Sequence, residues 1–140
     1  MALSANEPRE YAADTSPSLE QLPCQASTTS YYGSALSADS NGDVGPLLGS
    51  ESFVGFAEQK ADNSSGAAAA IKVKIRRRGR IKLSVATVDD DNDVNVAVYA
   101  TDDDTFTLSS SSAATVGKVE RWVTGTTCWV YFEALALRSL

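Results

Sequence analysis

The chain has 140 residues, 43% of them hydrophobic, no histidine, and a formal net charge of −6. That length suits one ordinary domain able to bury a core without disulfides or metals. The absence of histidine excludes Ser-His-Asp and Cys-His catalysis and any zinc site built on imidazole.

No run of about 18 apolar residues occurs, so no spanning helix is expected, and the N-terminal segment lacks the apolar stretch of a secretory signal. The expectation is a soluble protein kept in a cytoplasm. There Cys24 and Cys128, one in a polar segment and one in an apolar strand, read as two free thiols.

Residues 1–30 are rich in Ser, Thr, Pro, Glu and Ala, without sustained alternation or a helical stripe. Such a segment buries too little apolar area to fix itself, so it reads as an extended arm, either loose or laid on a neighbour. From residue 31 to 140 the dominant period is two, the pattern of half-buried strands. A first strand is expected around Thr29 to Leu36, then a loop broken by Asn41, Gly42, Gly45 and Pro46. A second covers Ser52 to Gln59, anchored by Phe53 and Phe56, before the polar turn and small-residue lead-in "KADNSSGAAAA".

The stretch "IKVKIRRRGRIKLSV", Ile71 to Val85, is the most informative. Ile71, Val73, Ile75, Ile81, Leu83 and Val85 occupy odd positions, while Lys72, Lys74, Arg76, Arg78, Arg80 and Lys82 occupy even ones. One face is therefore core and the other a ladder of positive charge. As one straight strand it would run roughly 50 Å at about 3.3 Å per residue. A break is expected at "RRRGR", where Arg77 and Gly79 interrupt the apolar series, as a hairpin or as a bend with a glycine bulge.

After the acidic loop "DDDNDV" come a strand from Val94 to Ala100, an Asp-rich turn, a short strand from Thr105 to Leu108 and a Ser-rich loop. A closing hairpin pairs Val116 to Val123 with Thr126 to Glu133 across Thr124 and Gly125. In its last strand Cys128, Val130 and Phe132 share one face and Trp129, Tyr131 and Glu133 the other, so this strand is central in its sheet or faces a partner subunit. About eight short strands at close spacing indicate an all-β, single-domain, jelly-roll-like sandwich or barrel behind the N-terminal arm.

Candidate chemistry is sparse. Asp89, Asp91 and Asp93 have the first spacings of a calcium loop, but Val94 and Ala100 stand where such a loop wants Gly and Glu, so a solvated turn is expected and no metal. The aspartate pairs could serve a hydrolase only in a shaped, partly dry cleft, for which the sequence gives no sign, and no enzyme is expected. Asn63 opens an "NSS" acceptor motif without an accompanying secretion signal.

The ladder needs an acidic partner. Removing its seven basic residues leaves 5 basic against 18 acidic elsewhere, a balance of −13, which steers poorly towards phosphate. Aromatic residues do not interleave with it along the sequence, as stacking on single strands requires. Two readings stay open: cross-strand pairing with the chain's own acids on a solvated face, or contact with an acidic protein surface.

The segments "FVGFAE" with "ADNSSGAA", "VYATDDDTFTL" and the following "VGKV" resemble the capsid decoration, or cement, proteins of tailed bacteriophages. The similarity covers about Tyr31 to Ala134, and its specificity lies in the combination, since no single motif carries chemistry. In that family a glycine often precedes the "VY" strand, where Asn95 or Val96 stands here. The resemblance implies a cofactor-free structural virion protein, made in the host bacterial cytoplasm and bound to the exterior of the capsid, where it cements neighbouring major capsid subunits as a homo-oligomer; a dimer, which suits a twofold position, is expected over a trimer. Its partner-binding residues would be Arg76, Arg77, Arg78 and Arg80 with Lys72, Lys74, Tyr31 and Tyr32, and its arm would lie on a neighbouring subunit, without membrane or direct nucleic-acid contact. The competing class is a carbohydrate- or nucleic-acid-binding β-sandwich module.

Overall fold

The computed structural model describes residues 2–12 and 18–134. Eleven strands follow in chain order: β1 (Ser18–Pro23), β2 (Thr28–Ser30), β3 (Ala35–Ala38), β4 (Val44–Pro46), β5 (Ser52–Ala57), β6 (Ala61–Asn63), β7 (Lys72–Ala86), β8 (Ala97–Asp102), β9 (Thr105–Thr107), β10 (Ala114–Thr124) and β11 (Thr127–Glu133). A 3-10 turn at Asp91–Asp93 is the one helical element among the described residues.

The all-β expectation holds. Strands β7, β11, β10, β8 and β9 pair in a ring, and the β7–β11 ladder closes it into a five-stranded barrel. Beyond the barrel the same sheet runs through β5, β3 and β4, with β1 on the other edge of β7 and β2–β6 as a separate small ribbon. There are more strands than about eight because β1 forms within the arm and the three-residue strands β4 and β6 occupy segments that read as loop and turn. The expected Thr29 to Leu36 strand is divided between β2 and β3, since Gly33 takes φ +88° between them.

Strand β7 organises both halves. Its odd residues are buried: Val73 and Ile75 join Cys24, Leu36, Val44, Val54, Ala57 and Ala61 in one core, while Ile81, Leu83 and Val85 join the barrel core. The stretch through "RRRGR" does not turn back as a hairpin. It continues as one 15-residue strand, because its two ends serve different cores and each has its own partners. The expected irregularity survives only locally. The β1 ladder slips between Ser18 and Leu19, opposite Arg77, and Gly79 takes φ +151°, where a side chain would be strained.

The closing hairpin forms as read. Cys128, Val130 and Phe132 point into the barrel, and β11 is flanked on both edges by β7 and β10, so it is central. Phe132 lies 4.9 Å from Phe56 and 6.2 Å from Phe53 between ring centroids, the middle of the aromatic core. Cys24 and Cys128 are both free and buried. Burial pushes both thiols up, Cys128 to about 11, so neither is poised as a nucleophile at neutral pH.

The described part of the N-terminal segment lies on its own chain. One edge of β7 is covered by β5 at Ile75 and Arg76 and by β9 at Val85 and Ala86. Between them Glu10, Tyr11 and Ala12 fill the gap: Ala12 N donates to Arg80 O at 3.0 Å, and Lys82 N donates to Glu10 O at 2.9 Å. Further along, β1 and β2 add two more strands from within residues 1–30. No helix among the described residues is long and apolar enough to cross a membrane.

Candidate functional site

The basic ladder emerges from β7 as period two requires, but the acids it needs are already present. Arg76 Nε donates to Glu58 Oε1 at 2.5 Å, and Arg77 Nη1 to Glu20 Oε1 at 2.5 Å. Arg80 pairs with Glu120 at 2.7 Å, and Lys82 with Glu10 at 3.1 Å. These carboxylates come from the arm, from β1, from the residue after β5 and from β10. That origin explains how an acidic chain carries a basic strand without an external counter-charge. Arg76 is held most firmly, because its guanidinium also stacks 4.2 Å from the Tyr11 ring centroid. Arg78 sits opposite Ser18 and Glu133 in the two ladders.

Lys72 and Lys74, at the start of β7, differ. Both are exposed, and no ion pair of either occurs among the described residues. They lie opposite Pro23 and Gln21 of β1, and the exposed Leu19, opposite Arg76, falls on the same face. Tyr31 and Tyr32 are not part of this patch by contact. Tyr31 stacks under Lys60, whose Nζ is 5.3 Å from the ring centroid, while Tyr32 holds the arm through its backbone, accepting from Glu7 N and donating to Asn6 Oδ1.

Sequence reasoning missed the arm's anchor, Arg9. Its Nε donates to Gly33 O at 2.8 Å and its Nη2 to Asp104 Oδ1 at 2.8 Å, with the side chain 9% exposed. Beside it Asp103 accepts from Leu3 N at 3.0 Å and from Ser34 Oγ at 2.9 Å. A lone Arg in a polar segment offers no periodic signal. The only hint is that "DDD" at 102–104 offers three acids where a turn needs one or two.

In that acidic turn two aspartates are shifted in opposite directions. Burial raises the Asp103 carboxyl above its ordinary value, against the bonds from Leu3 and Ser34. The folded chain therefore binds this proton more tightly than the unfolded chain. The associated stability is fully present below the unfolded value of about 4 and falls as pH rises through the raised value. Asp102 contributes with the opposite sign. Burial raises it, but bonds from Asp104 N and Thr105 outweigh that and leave it lowered, so its contribution fades as pH falls through the folded value. Asp103→Asn is expected to flatten the decline of Tm as pH rises above the ordinary carboxylate value. An unchanged slope would assign the decline to another group.

In the other acidic loop, carboxylate oxygens of Asp89, Asp90 and Asp93 lie within 4.8 Å of one another, rather than those of Asp89, Asp91 and Asp93. They serve the turn itself: Asp90 caps the 3-10 turn through Asn92 N, and Asp93 Oδ2 accepts from Asp89 N.

Strand pairing also does what the linear sequence does not: it interleaves aromatic and basic residues. On the outer barrel face Tyr131 lies between Arg80 and Lys118, and Trp129 between Lys82 and Arg121. Lys82 Nζ and Arg121 Cζ approach the Trp129 ring to 5.5 and 5.9 Å.

No family model matches the chain, and no curated protein or solved structure matches it either.

Proposed function

We propose that this chain is a structural virion protein, without enzymatic activity or cofactor, which binds the outer surface of a tailed-phage head and cements neighbouring major capsid subunits as a homo-oligomer, a dimer rather than a trimer. The quoted segments motivate this reading, and one observation carries it furthest. Most of the ladder is neutralised internally, yet Lys72 and Lys74 remain exposed on the same face as the exposed Leu19 of β1. Two cations on one face with an apolar side chain form a shallow contact patch, the kind that contributes moderate affinity to a repeated interface rather than depth to a single pocket.

The contacts are therefore reassigned within the ladder. Arg76, Arg77 and Arg80 are engaged within the chain, and reversing them would break internal pairs before any interface was tested. The informative variant is Lys72→Glu with Lys74→Glu, in co-sedimentation with expanded phage heads. Occupancy is expected to fall about tenfold, equivalent to about 1.4 kcal/mol, with an unchanged thermal melt. Unchanged occupancy would remove the patch from the interface. Failure of the unaltered protein to co-sediment with any head would sink the cement reading.

The aromatic and cationic rows on β7, β11 and β10 favour a second reading, a binding module for carbohydrate or nucleic acid.

A further inference from the structure

Of the asparagines in the chain, at positions 6, 41, 63, 92 and 95, only Asn41 is followed by glycine. The pair Asn41 and Gly42 sits exposed in the turn that joins β3 to β4. Asp39 fastens that turn. Its Oδ1 accepts from Asn41 N at 2.9 Å and from Asp43 N at 3.1 Å, its carbonyl oxygen accepts from Gly42 N at 3.0 Å, and its own amide donates to Asp43 O at 2.9 Å. The Asn41 side-chain amide makes no hydrogen bond among the described residues. Gly42 takes φ +83° with nothing within 4 Å of where a Cβ would stand, so no neighbouring group shields it.

We propose that Asn41 is a modification site, which deamidates and isomerises in the folded chain at a rate set by the Asp39 turn. A side-chain amide is open to attack by the backbone nitrogen of the next residue, and glycine alone has no side chain to crowd that approach. Gly42 N gives its proton to solvent and bonds to Asn41 Cγ. The Cγ–Nδ2 bond breaks, and the departing nitrogen takes up a proton and leaves as ammonia. Water then opens the succinimide at either of its carbonyls, leaving aspartate or isoaspartate at position 41. One water enters and one ammonia leaves, so neither oxidant nor cofactor is consumed.

The brake is one hydrogen bond. Gly42 N must part from Asp39 O before it can reach Asn41 Cγ, and that bond lies beyond the short ladder of Leu36 to Ala38 on Val44 to Pro46. Opening at the end of so short a ladder costs much less than unfolding the domain. The other asparagines are held differently. Asn63 is 3% exposed, and its Nδ2 donates to Gln25 O and Ala67 O. Asn92 Nδ2 donates to Asp90 Oδ2 at the 3-10 turn, while Asn6 and Asn95 precede Glu7 and Val96, whose side chains crowd the attacking nitrogen. Isoaspartate lengthens the backbone by a methylene inside the turn, and either product adds a negative charge beside Asp39 and the buried Asp43. The site does not rest on the capsid reading.

Incubation of the full chain under warm, mildly alkaline conditions tests the proposal, read by peptide mass spectrometry with electron-transfer fragmentation to separate isoaspartate from aspartate. The peptide holding Asn41 is expected to gain about 1 Da with time, mostly as isoaspartate, before any other asparagine peptide changes. Unfolding in urea should speed the conversion about tenfold. Asp39→Ala, which removes the side-chain fastening, should speed it about threefold in a chain that still melts cooperatively. Asn41→Gln should abolish it. No conversion in the folded chain while the urea-unfolded chain converts fully would overturn the proposal, as would earlier conversion at another asparagine. Aspartate without isoaspartate would overturn the succinimide route, and an Asp39→Ala chain no faster than the parent would overturn the turn as its control.

Discussion

Phe132→Ala is expected to lower the unfolding free energy by about 3–5 kcal/mol, the largest single loss in this chain. The side chain is fully buried, and its ring lies among those of Phe53, Phe56 and Tyr11, the last at 6.3 Å between centroids. It sits where β11 closes the barrel on β7 at Gly79, with β5 packed on one side and the arm on the other. Removing it opens a cavity that rigid ladders on both strand edges cannot collapse. Against a total of about 5–15 kcal/mol, such a loss brings the domain near its midpoint at ordinary temperature. Chemical denaturation followed by circular dichroism measures it, with Phe132→Leu expected to lose much less. A loss below about 1 kcal/mol for the alanine variant would show that the aromatic core repacks freely.

Arg76→Leu comes second, at about 2–3 kcal/mol. Fully buried pairs lose more when one partner is removed, but the Arg76 and Glu58 side chains are 19% and 17% exposed, so the value is discounted. The substitution abolishes the ion pair and the stack on Tyr11, leaving Glu58 half-buried without its partner. Because Tyr11 seats the arm, hydrogen exchange at the Ala12 and Lys82 amides should accelerate more than exchange at the β10–β11 ladder. Arg80→Leu, whose pair with Glu120 is far more exposed, should lose less than about 1 kcal/mol. Equal losses for the two arginines would contradict this ranking of the ladder.

Much of the barrel was legible because burial on one face writes itself as parity. The odd positions of β7 and the inward face of β11 follow from that rule alone, and the turn at Gly125 from its residue types. What parity leaves open is which strand lies beside which. The continuity of β7 through "RRRGR" depends on two cores lying end to end, and no local pattern reports that. The seat of the arm was hidden for a related reason. Its residues have no period because Arg9, Glu10 and Tyr11 are placed singly into a gap made elsewhere. The interleaving of Tyr131 and Trp129 with basic residues was likewise invisible, since the cations and the rings lie on different strands, and Arg80 and Lys82 are about 50 positions from the rings they meet. The ladder's counter-charges were legible as a total and not as positions: a balance of −13 says that acids are at hand, and only pairing shows Glu58, Glu20, Glu120 and Glu10 to be the ones.

Strand β7 also sets how the molecule carries load. It is gripped along both edges, by β1 then β11 on one side and by β5, the arm and β9 on the other. Tension applied along its length meets these ladders in shear, so their hydrogen bonds must fail together rather than open one after another. Tension applied across it meets the ladders singly and peels them. The molecule is therefore stiff in one direction and compliant in the other, and the orientation of β7 on any surface decides which of the two it presents.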